Sequence, residues 1–248
     1  MKKRVAKLIY KVLIVIFAAI FLYSGNMIVD YYVKSRINQQ EYEELHELVA
    51  EEKNNTSKTQ NKSKKVDKLK KINGDAVGWV NVPGTKISYP VVKAKNNEFY
   101  LNRNFKREYS AHGVPFVDYR VDLKQKNYQN VIVYAHHMKD GSMFAGLNKY
   151  LDKAQYKKNK YVFFETSEGR RKFQIISVYK IDAGKEYGQN LAFNFKTKKE
   201  FNEYVDTIKE KSFYSIEMPK KYKNNLVSLC TCEYTLDDGR LIVSAIEI

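Results

Sequence analysis

The chain has 248 residues, of which 44 are Lys or Arg and 28 are Asp or Glu, so its formal net charge is +16. Hydrophobic residues make up 44% and aromatic residues 14% of the sequence, which excludes a disordered chain. The two cysteines are too few for a disulfide-stabilised scaffold, and no Cys/His cluster has zinc-finger spacing. The charge excess is +7 over residues 1–72 (15 basic, 8 acidic) and +9 over residues 73–248 (29 basic, 20 acidic). Because the charge is spread along the chain and no nucleic-acid motif accompanies it, we expect no nucleic-acid partner.

An apolar segment near the N-terminus predicts a membrane anchor. Five of the first 11 residues are basic, and the 18 residues from Val12 to Val29 carry no charge. About 20 such residues span a bilayer as a helix, and flanking basic residues favour the cytoplasmic side. A cleaved signal peptide is the alternative, although its apolar core usually has about 7–15 residues. We expect a cytoplasmic segment at 1–11, a single transmembrane helix at 12–29 and an extracellular remainder.

The next segment combines helix-forming and flexible sequence. Residues 39–53 are rich in helix formers, and their apolar residues recur at helical spacing. Residues 54–65 (NNTSKTQNKSKK) are polar and low in complexity, which predicts a flexible linker. A short helix over 66–72 is expected to lead into the folded domain. We therefore predict a helical tether and polar linker at 30–72, followed by a folded domain at 73–248.

Residues 73–248 have the pattern of a β domain. The strand candidates are short runs rich in β-branched and aromatic residues: 77–82, 87–92, 113–117, 131–135, 161–165, 173–181, 227–231 and 241–248. A late helix is predicted over 198–211, because Phe201, Tyr204, Val205 and Ile208 form an apolar stripe. About eight short strands with few helices indicate a closed β-barrel rather than alternating βαβ units. The predicted fold class is mainly β, with N-terminal helices, one inserted late helix and a single transmembrane helix in front.

Three groups near strand ends could carry chemistry: the Ala135-His136-His137 run, the run from Ser228 to Cys232, and Arg240. A cysteine nucleophile needs an imidazole as base or as partner of its thiolate, and a donor for the oxyanion of a tetrahedral intermediate. Cys, His and Arg can supply these roles, and Arg stays protonated while offering forked donors. The residues alone also allow a structural interpretation, since a cysteine in a strand is usually there for packing.

Four stretches together resemble the sortase family, and class B sortases most closely. They are VGWVNVPGTKISYPVV (77–92), FYLNRNFKREYSAHGVPFVDYR (99–120), VIVYAHHMKDGSMF (131–144) and SLCTCEYTLDDGRLIV (228–243). The resemblance covers about residues 74–248 in order. The upstream anchor and tether and the late helix also fit this family. The resemblance implies that the predicted barrel is of the sortase type.

The resemblance implies three catalytic residues. The family's Thr-Leu-x-Thr-Cys signature falls on residues 228–232, which makes Cys232 the nucleophile. The histidine of the family's Tyr-Gly-His pattern is His136, and the arginine at the start of the last strand is Arg240. The turn residues between the cysteine and the arginine can form a tight reversal that returns Arg240 beside the cysteine strand.

Two departures from the family pattern lie beside these residues. Ser228 stands where the family often has Thr, and Ala135 stands where it usually has Gly. Both replacements are small, and we expect them to tune the geometry rather than abolish activity. Two further histidines belong to the motifs: His137 is the alternative base, and His112, in an Ala-His-Gly turn, is expected to serve that turn.

The class B pattern also implies substrate contacts. An Asn and a Leu four residues apart after the second strand fit Asn97 and Leu101, a Tyr before the late helix fits Tyr187, and the Glu after the cysteine is Glu233. The signature residues beside the nucleophile complete the predicted set, namely Ser228, Leu229, Cys230 and Thr231. Because residues i and i+2 of a strand point to the same face, Cys230 either lines the groove or fills space. A disulfide between Cys230 and the nucleophile would be badly strained.

The implied function is that of a cysteine transpeptidase of the Gram-positive cell surface. It would cleave a C-terminal sorting signal of the form Asn-Pro-x-Thr after the Thr, through a thioester on Cys232. It would then transfer the surface protein to an amine of a peptidoglycan cross-bridge or of a lipid-linked precursor. The sequence lacks an acidic cluster suited to the Ca²⁺ of class A members, so we expect no metal and no cofactor.

Two alternatives come from other functional classes. One is a non-catalytic, membrane-tethered β-barrel that binds a cell-wall polymer or a surface protein through its basic surface. The other is an L,D-type transpeptidase that cross-links peptidoglycan, whose Ser-His-Gly-Cys pattern the chain lacks.

Overall fold

A computed structural model describes residues 2–50, 64–182, 191–233 and 239–248, and at Cys232 and Glu233 it describes the backbone. The chain forms two compact units, Met1–Glu43 and Glu44–Ile248. The second unit contains the strands and the predicted site residues that lie within the described ranges.

Helix α1 runs without interruption from Lys2 to Ala50. The predicted anchor and the described part of the helix predicted at 39–53 therefore belong to one helix. The helix contains a stretch, Ala6–Val49, that is long and apolar enough to cross a membrane, and its most apolar 18-residue window has a mean hydropathy of 2.4. At 1.5 Å per residue, 18 residues extend roughly 27 Å, close to the thickness of a bilayer's hydrocarbon core. Most of the predicted linker, 54–63, lies outside the described residues.

The described strands close into a barrel. They are β1 (Ala76–Asn81), β2 (Ser88–Val92), β3 (Phe116–Val117), β4 (Gln129–Tyr134), β5 (Tyr161–Thr166), β6 (Gly169–Asp182), β7 (Asn225–Glu233) and β8 (Gly239–Glu247). Their order around the barrel is β1-β2-β3-β4-β7-β8-β6-β5. The β2–β3 and β4–β7 pairs are parallel, and the other pairs are antiparallel. The predicted closed, mainly β barrel is confirmed.

Strands β4 and β8 are buried on both faces, so the outside of the barrel needs a cover there. All six residues of β4 are buried, and so is every residue of β8 from Leu241 to Glu247. Helix α4 (Lys198–Glu210) supplies part of this cover through its apolar stripe, whose four residues are buried. Its Tyr204 hydroxyl accepts a hydrogen bond from Asn130 Nδ2 of β4 at 3.3 Å. The late helix predicted at 198–211 is confirmed and ends one residue earlier.

Shorter helices complete the domain. Helix α2 (Lys64–Ile72) starts two residues before its predicted position and buries Val66 and Leu69 completely. Between β4 and β5 the chain forms a 3₁₀ helix (Phe144–Leu151) and helix α3 (Lys153–Lys158), which the sequence did not predict. Asp152 starts α3, because its carboxylate accepts a hydrogen bond from the Ala154 N–H at 2.8 Å.

The predicted strand at 113–117 is wrong at its start. Gly113 lies in a turn with φ of +61°, a conformation that interrupts extended backbone. Pro115 has no N–H to donate to a neighbouring strand, although its carbonyl accepts a hydrogen bond from Val92 N at 3.0 Å. The strand is therefore limited to Phe116 and Val117.

Candidate active site

Strand pairing sets two predicted site residues opposite each other, and the third lies just beyond the end of a neighbouring strand. In the β7–β8 ladder, Cys232 is paired with Arg240. In the parallel β4–β7 ladder, the last pair joins Tyr134 to Cys230. The Ala135 N–H still donates to the Cys230 carbonyl at 3.2 Å, and His136 follows directly, two residues beyond the end of β4.

The imidazole of His136 is held by a backbone carbonyl. Its Nε2 atom lies 2.7 Å from the Leu101 carbonyl oxygen. Because a carbonyl oxygen only accepts, this contact requires a proton on Nε2. The carbonyl is itself confined by Gly113, where a Cβ atom would come within 2.7 Å of the Leu101 oxygen. Glycine is thus the residue that fits at this position, in both φ and space.

Arg240 occupies the end of β8 between two neighbouring strands. It is paired with Cys232 on one side and with Ile181 of β6 on the other. Its side chain is partly buried and donates from Nη1 to the Gly239 carbonyl at 3.0 Å. A permanently charged, forked donor therefore lies on the strand next to the cysteine.

The four residues before Cys232 are buried, with at most 1% of each exposed: Ser228, Leu229, Cys230 and Thr231. The Ser228 hydroxyl donates to Asn130 Oδ1 at 2.9 Å and lies 2.8 Å from the Ser244 hydroxyl. This network ties β7 to β4 and β8, the two strands that lead to His136 and Arg240. Burial gives these side chains a packing role, and their contact with a substrate stays a prediction.

A buried carboxylate that the sequence did not single out fixes Asn97. Asp118 is completely buried, and its Oδ2 atom accepts hydrogen bonds from Asn97 Nδ2 and from the Tyr134 hydroxyl, each at 3.1 Å. Arg120 donates to both carboxylate oxygens, at 2.9 and 2.7 Å. Burial alone would raise the pKa of Asp118, but the hydrogen bonds and charge of Arg120 outweigh it and hold the pKa below its usual value. Asp118 is therefore ionised at neutral pH.

Arg120 also connects this carboxylate to the segment that follows β6. Its guanidinium lies 4.7 Å from the centroid of the Phe193 ring, and its carbonyl accepts a hydrogen bond from Asn194 Nδ2 at 3.2 Å. The motif stretch at 99–120 ends on the Asp-Tyr-Arg run that contains Asp118 and Arg120. That run was the signal by which the sequence could have pointed to Asp118 and Arg120, but the residues they contact became clear only from the fold.

Of the remaining predicted substrate residues, the structure describes one with its side chain, one by its backbone and one not at all. Leu101 is 37% exposed beside the histidine that its carbonyl holds. Tyr187 lies outside the described residues, and Glu233 is described by its backbone at the end of β7. Among the described residues there is no group of three or more His, Cys, Asp or Glu side chains that could hold a metal ion. The absence of a metal stays a prediction.

The match to known proteins extends over the barrel and beyond it. Residues 80–248 match the sortase domain family. The chain belongs to the sortase family. Sortase B of Staphylococcus aureus is 32% identical over 243 residues, which cover 96% of this chain and 94% of that protein. The match to class B members confirms the predicted class.

Solved structures of class B sortases share the fold. The S. aureus sortase B–substrate complex has a TM-score of 0.74 and 29% identity, covering 87% of this chain and 98% of that one. A sortase B complexed with triglycine has a TM-score of 0.73 and 32% identity, covering 86% of this chain and 98% of that one. As a class B sortase, the chain is a cysteine transpeptidase of the family that anchors proteins to the cell wall. The non-catalytic alternative is thereby wrong.

Proposed function

We propose that Cys232 is the nucleophile, His136 the general acid and base, and Arg240 the oxyanion donor of a two-step transpeptidation. In the first step, the Cys232 thiolate attacks the Thr carbonyl carbon of an Asn-Pro-x-Thr sorting signal. The C–N bond breaks, His136 gives its proton to the departing amine, and a thioester forms. In the second step, an acceptor amine attacks the thioester, its proton passes to His136, and the C–S bond breaks to regenerate the thiolate.

The strand register carries this proposal. Cys232 and Arg240 are paired on adjacent strands, and His136 lies two residues beyond the end of β4, the strand on the other side of β7. Neighbouring strands lie about 4.8 Å apart, a spacing that allows three side chains to reach one carbonyl group. The bond from His136 to the Leu101 carbonyl supports one preferred ring orientation.

The test measures cleavage of a fluorogenic peptide carrying the Asn-Pro-x-Thr signal, with the full chain in detergent. We expect Cys232→Ala to abolish cleavage, and His136→Ala and Arg240→Ala each to lower kcat/KM by about 10²- to 10³-fold. Arg170→Ala is the matched control, because Arg170 is an exposed arginine stacked on Phe163 of the neighbouring strand. Full cleavage by Cys232→Ala or Arg240→Ala would refute the assignment.

We further propose that the sorting signal is bound by the substrate residues named from the sequence: Asn97, Leu101, Tyr187, Glu233 and residues 228–231. The side chain of Asn97 supports this role. Its Nδ2 donates to Asp118, and its Oδ1 accepts from the Tyr119 N–H at 3.0 Å. An amide group has a second N–H, which we assign to a carbonyl of the signal. Asn97→Ala should raise KM for the peptide, and an unchanged KM would remove Asn97 from the substrate site.

The proposed acceptor is an amine of a peptidoglycan cross-bridge or of its lipid-linked precursor. The solved triglycine complex of a sortase B supports a peptide amine as the acceptor. Mass spectrometry of products from a sorting-peptide library and a set of candidate amines identifies the signal and the acceptor together. Formation of the hydrolysed acid alone with every amine would contradict transfer.

We propose that residues 12–29 hold the chain in the membrane as a single span, with residues 1–11 in the cytoplasm. Residues 30–72 would then form a tether to an extracellular catalytic domain, 73–248, at a Gram-positive cell surface. The long apolar helix and the basic residues at its start support this arrangement. Protease treatment of intact protoplasts should degrade the catalytic domain and spare an N-terminal tag, and the reverse pattern would overturn the orientation.

A further inference from the structure

The loop that carries His136 is tied to its neighbour by a buried pair that the mechanism does not use. His112 Nε2 lies 3.1 Å from Asp140 Oδ2. The two side chains are only 3% and 12% exposed. Burying two ionisable groups opposes folding unless each finds a partner. Service to its own turn, the role expected from the sequence, does not explain why His112 reaches a carboxylate 28 positions away.

His112 belongs to a loop of residues 99–114, here named the support loop, which is closed by its own backbone hydrogen bonds. The Val114 N–H donates to the Tyr100 carbonyl at 3.3 Å, and the Ser110 N–H donates to the Asn102 carbonyl at 3.1 Å. Between these bonds the Leu101 carbonyl is presented to His136. The support loop therefore sets the position of the oxygen that holds the imidazole.

Asp140 belongs to the loop of residues 135–144, here named the histidine loop. Its Oδ1 atom accepts a hydrogen bond from the Ser142 N–H at 2.9 Å and so holds the turn. The Phe144 N–H donates to the His136 carbonyl at 2.9 Å, which returns the loop to its starting residue. One carboxylate oxygen thus organises the histidine loop while the other meets the support loop.

Two side-chain contacts among the described residues join the loops: His136 with the Leu101 carbonyl, and His112 with Asp140. Together with the backbone hydrogen bonds within each loop, these contacts form a closed circuit that includes His136. The second contact adds a restraint on how the two loops lie relative to each other at His136. We propose that the His112–Asp140 pair is a positioning device that fixes the Leu101 carbonyl and thereby the catalytic orientation of His136. The inference rests on the proposed role of His136 as general acid and base.

Three variants separate positioning from turn structure. His112→Ala removes the contact to Asp140. His112→Gln places a side-chain N–H near the position of Nε2 and should restore the contact. Asp140→Ser keeps an oxygen that can cap the Ser142 N–H but is too short to reach His112, so it removes the pair by a second route.

The measurements are steady-state kinetics on the sorting peptide and the ¹⁵N chemical shifts of the His136 imidazole. We expect His112→Ala and Asp140→Ser to lower kcat by about 10- to 100-fold, since misplacing a catalytic group by about 1 Å has effects of this size. KM should change less than kcat, the Nε2 resonance should shift, and His112→Gln should recover most of the loss. Glu247→Gln is the matched control, because it breaks another buried charged contact, at the end of β8 away from Arg240.

The outcomes are distinguishable. A folded His112→Ala or Asp140→Ser chain with wild-type kcat and an unmoved His136 resonance would overturn the positioning role. If His112→Ala does not fold, a folded Asp140→Ser chain with wild-type kcat and an unmoved His136 resonance would by itself overturn the positioning role. If His136→Ala itself kept wild-type kcat, the proposed function would fail instead. An equal loss of kcat in Glu247→Gln would show that the effect follows stability and would also overturn the proposal.

Discussion

The β7–β8 ladder has two ends that use charge in opposite ways. Where β7 begins and β8 finishes, the Glu247 carboxylate is bound by Arg171, by Lys223 at 2.9 Å and by Asn225 at 3.0 Å. Burial raises the pKa of Glu247, but the hydrogen bonds from the two cations outweigh it and lower the pKa to about 2. At the opposite end, Arg240 is paired with Cys232. At the Glu247 end, opposite charges bind one another and stabilise the fold. At the other end, the arginine lies where the reaction is proposed to occur.

The separation of these ends means that each can be altered by itself. Asn225 and Cys232 are seven residues apart on one strand, which corresponds to roughly 23 Å. Substitutions more than about 10 Å apart without shared partners usually have additive effects. Stability and catalysis should therefore be separable along a single pair of strands.

The largest expected effect lies at the catalytic end. Arg240→Ala should lower kcat/KM by about 10²- to 10³-fold, because it removes the donor assigned to the oxyanion, while the free energy of unfolding changes little. Arg240→Lys keeps the charge but loses the forked geometry, so it should recover only part of the rate. Peptide kinetics and urea unfolding of both variants are the measurements. If Lys were as active as Arg, charge alone would be sufficient there.

The Glu247 end should respond in the opposite way. Glu247→Gln leaves two cations without their carboxylate and should lower the free energy of unfolding by up to about 3 kcal/mol. Its kcat per folded molecule should equal that of the wild type. Urea unfolding and peptide kinetics at a temperature where the variant is folded provide the test. A fall in kcat would show that the two ends are coupled.

Acid should reduce the contribution of the Glu247 end to the free energy of unfolding. Because the folded pKa of Glu247 is lowered to about 2 from an ordinary value of 4.5, its contribution is fully present above about 4.5 and is lost as the pH falls towards 2. Asp118 shifts in the same direction. Unfolding curves measured across this range should show a steep acid loss in the wild type and a shallower one in Glu247→Gln. Equal slopes would contradict the assignment to Glu247.

The smallest expected effect comes from a residue outside both ends. Asp152→Ala removes the cap of helix α3 and should lower the free energy of unfolding by about 1 kcal/mol, with kcat unchanged. Asp152→Ser retains a capping oxygen and is the matched control. Thermal unfolding of both variants is sufficient. A kinetic defect in the alanine variant would mean that catalysis responds to stability anywhere in the domain.

The features of the fold that the sequence predicted are those with a local signal. The apolar stripe of α4 and the runs of β-branched and aromatic residues in the long strands are visible in short windows. Helix α3 escaped prediction because six residues are too few to show a helical period. Strand β3 was overestimated because Gly113 and Pro115, not the apolar residues around them, decide where pairing can begin.

For the site, as for the fold, the sequence predicted the parts with a local signal and missed those set by distant contacts. Family motifs name the candidate Cys, His and Arg, and the strand register that pairs Cys232 with Arg240 follows from the closed barrel. The partners Asp118 and Asp140 were missed because their contacts are non-local: Asp118 meets Asn97 across 21 positions, and Asp140 meets His112 across 28. A lone Asp or His in a loop has no pattern that reveals such a partner.

The order of strands around the barrel has a consequence for biosynthesis. β8 is the last of the eight strands in chain order, yet it lies between β6 and β7. The β4–β7 pair joins Gln129 to Asn225, which are 225 − 129 = 96 positions apart, and such distant pairings form slowly. A nascent chain that ends before β8 therefore carries the proposed nucleophile without the proposed oxyanion donor, and until β4 meets β7 the proposed general acid and base is not beside it either. The proposed site can therefore be assembled only after the last strand of the barrel has been synthesised.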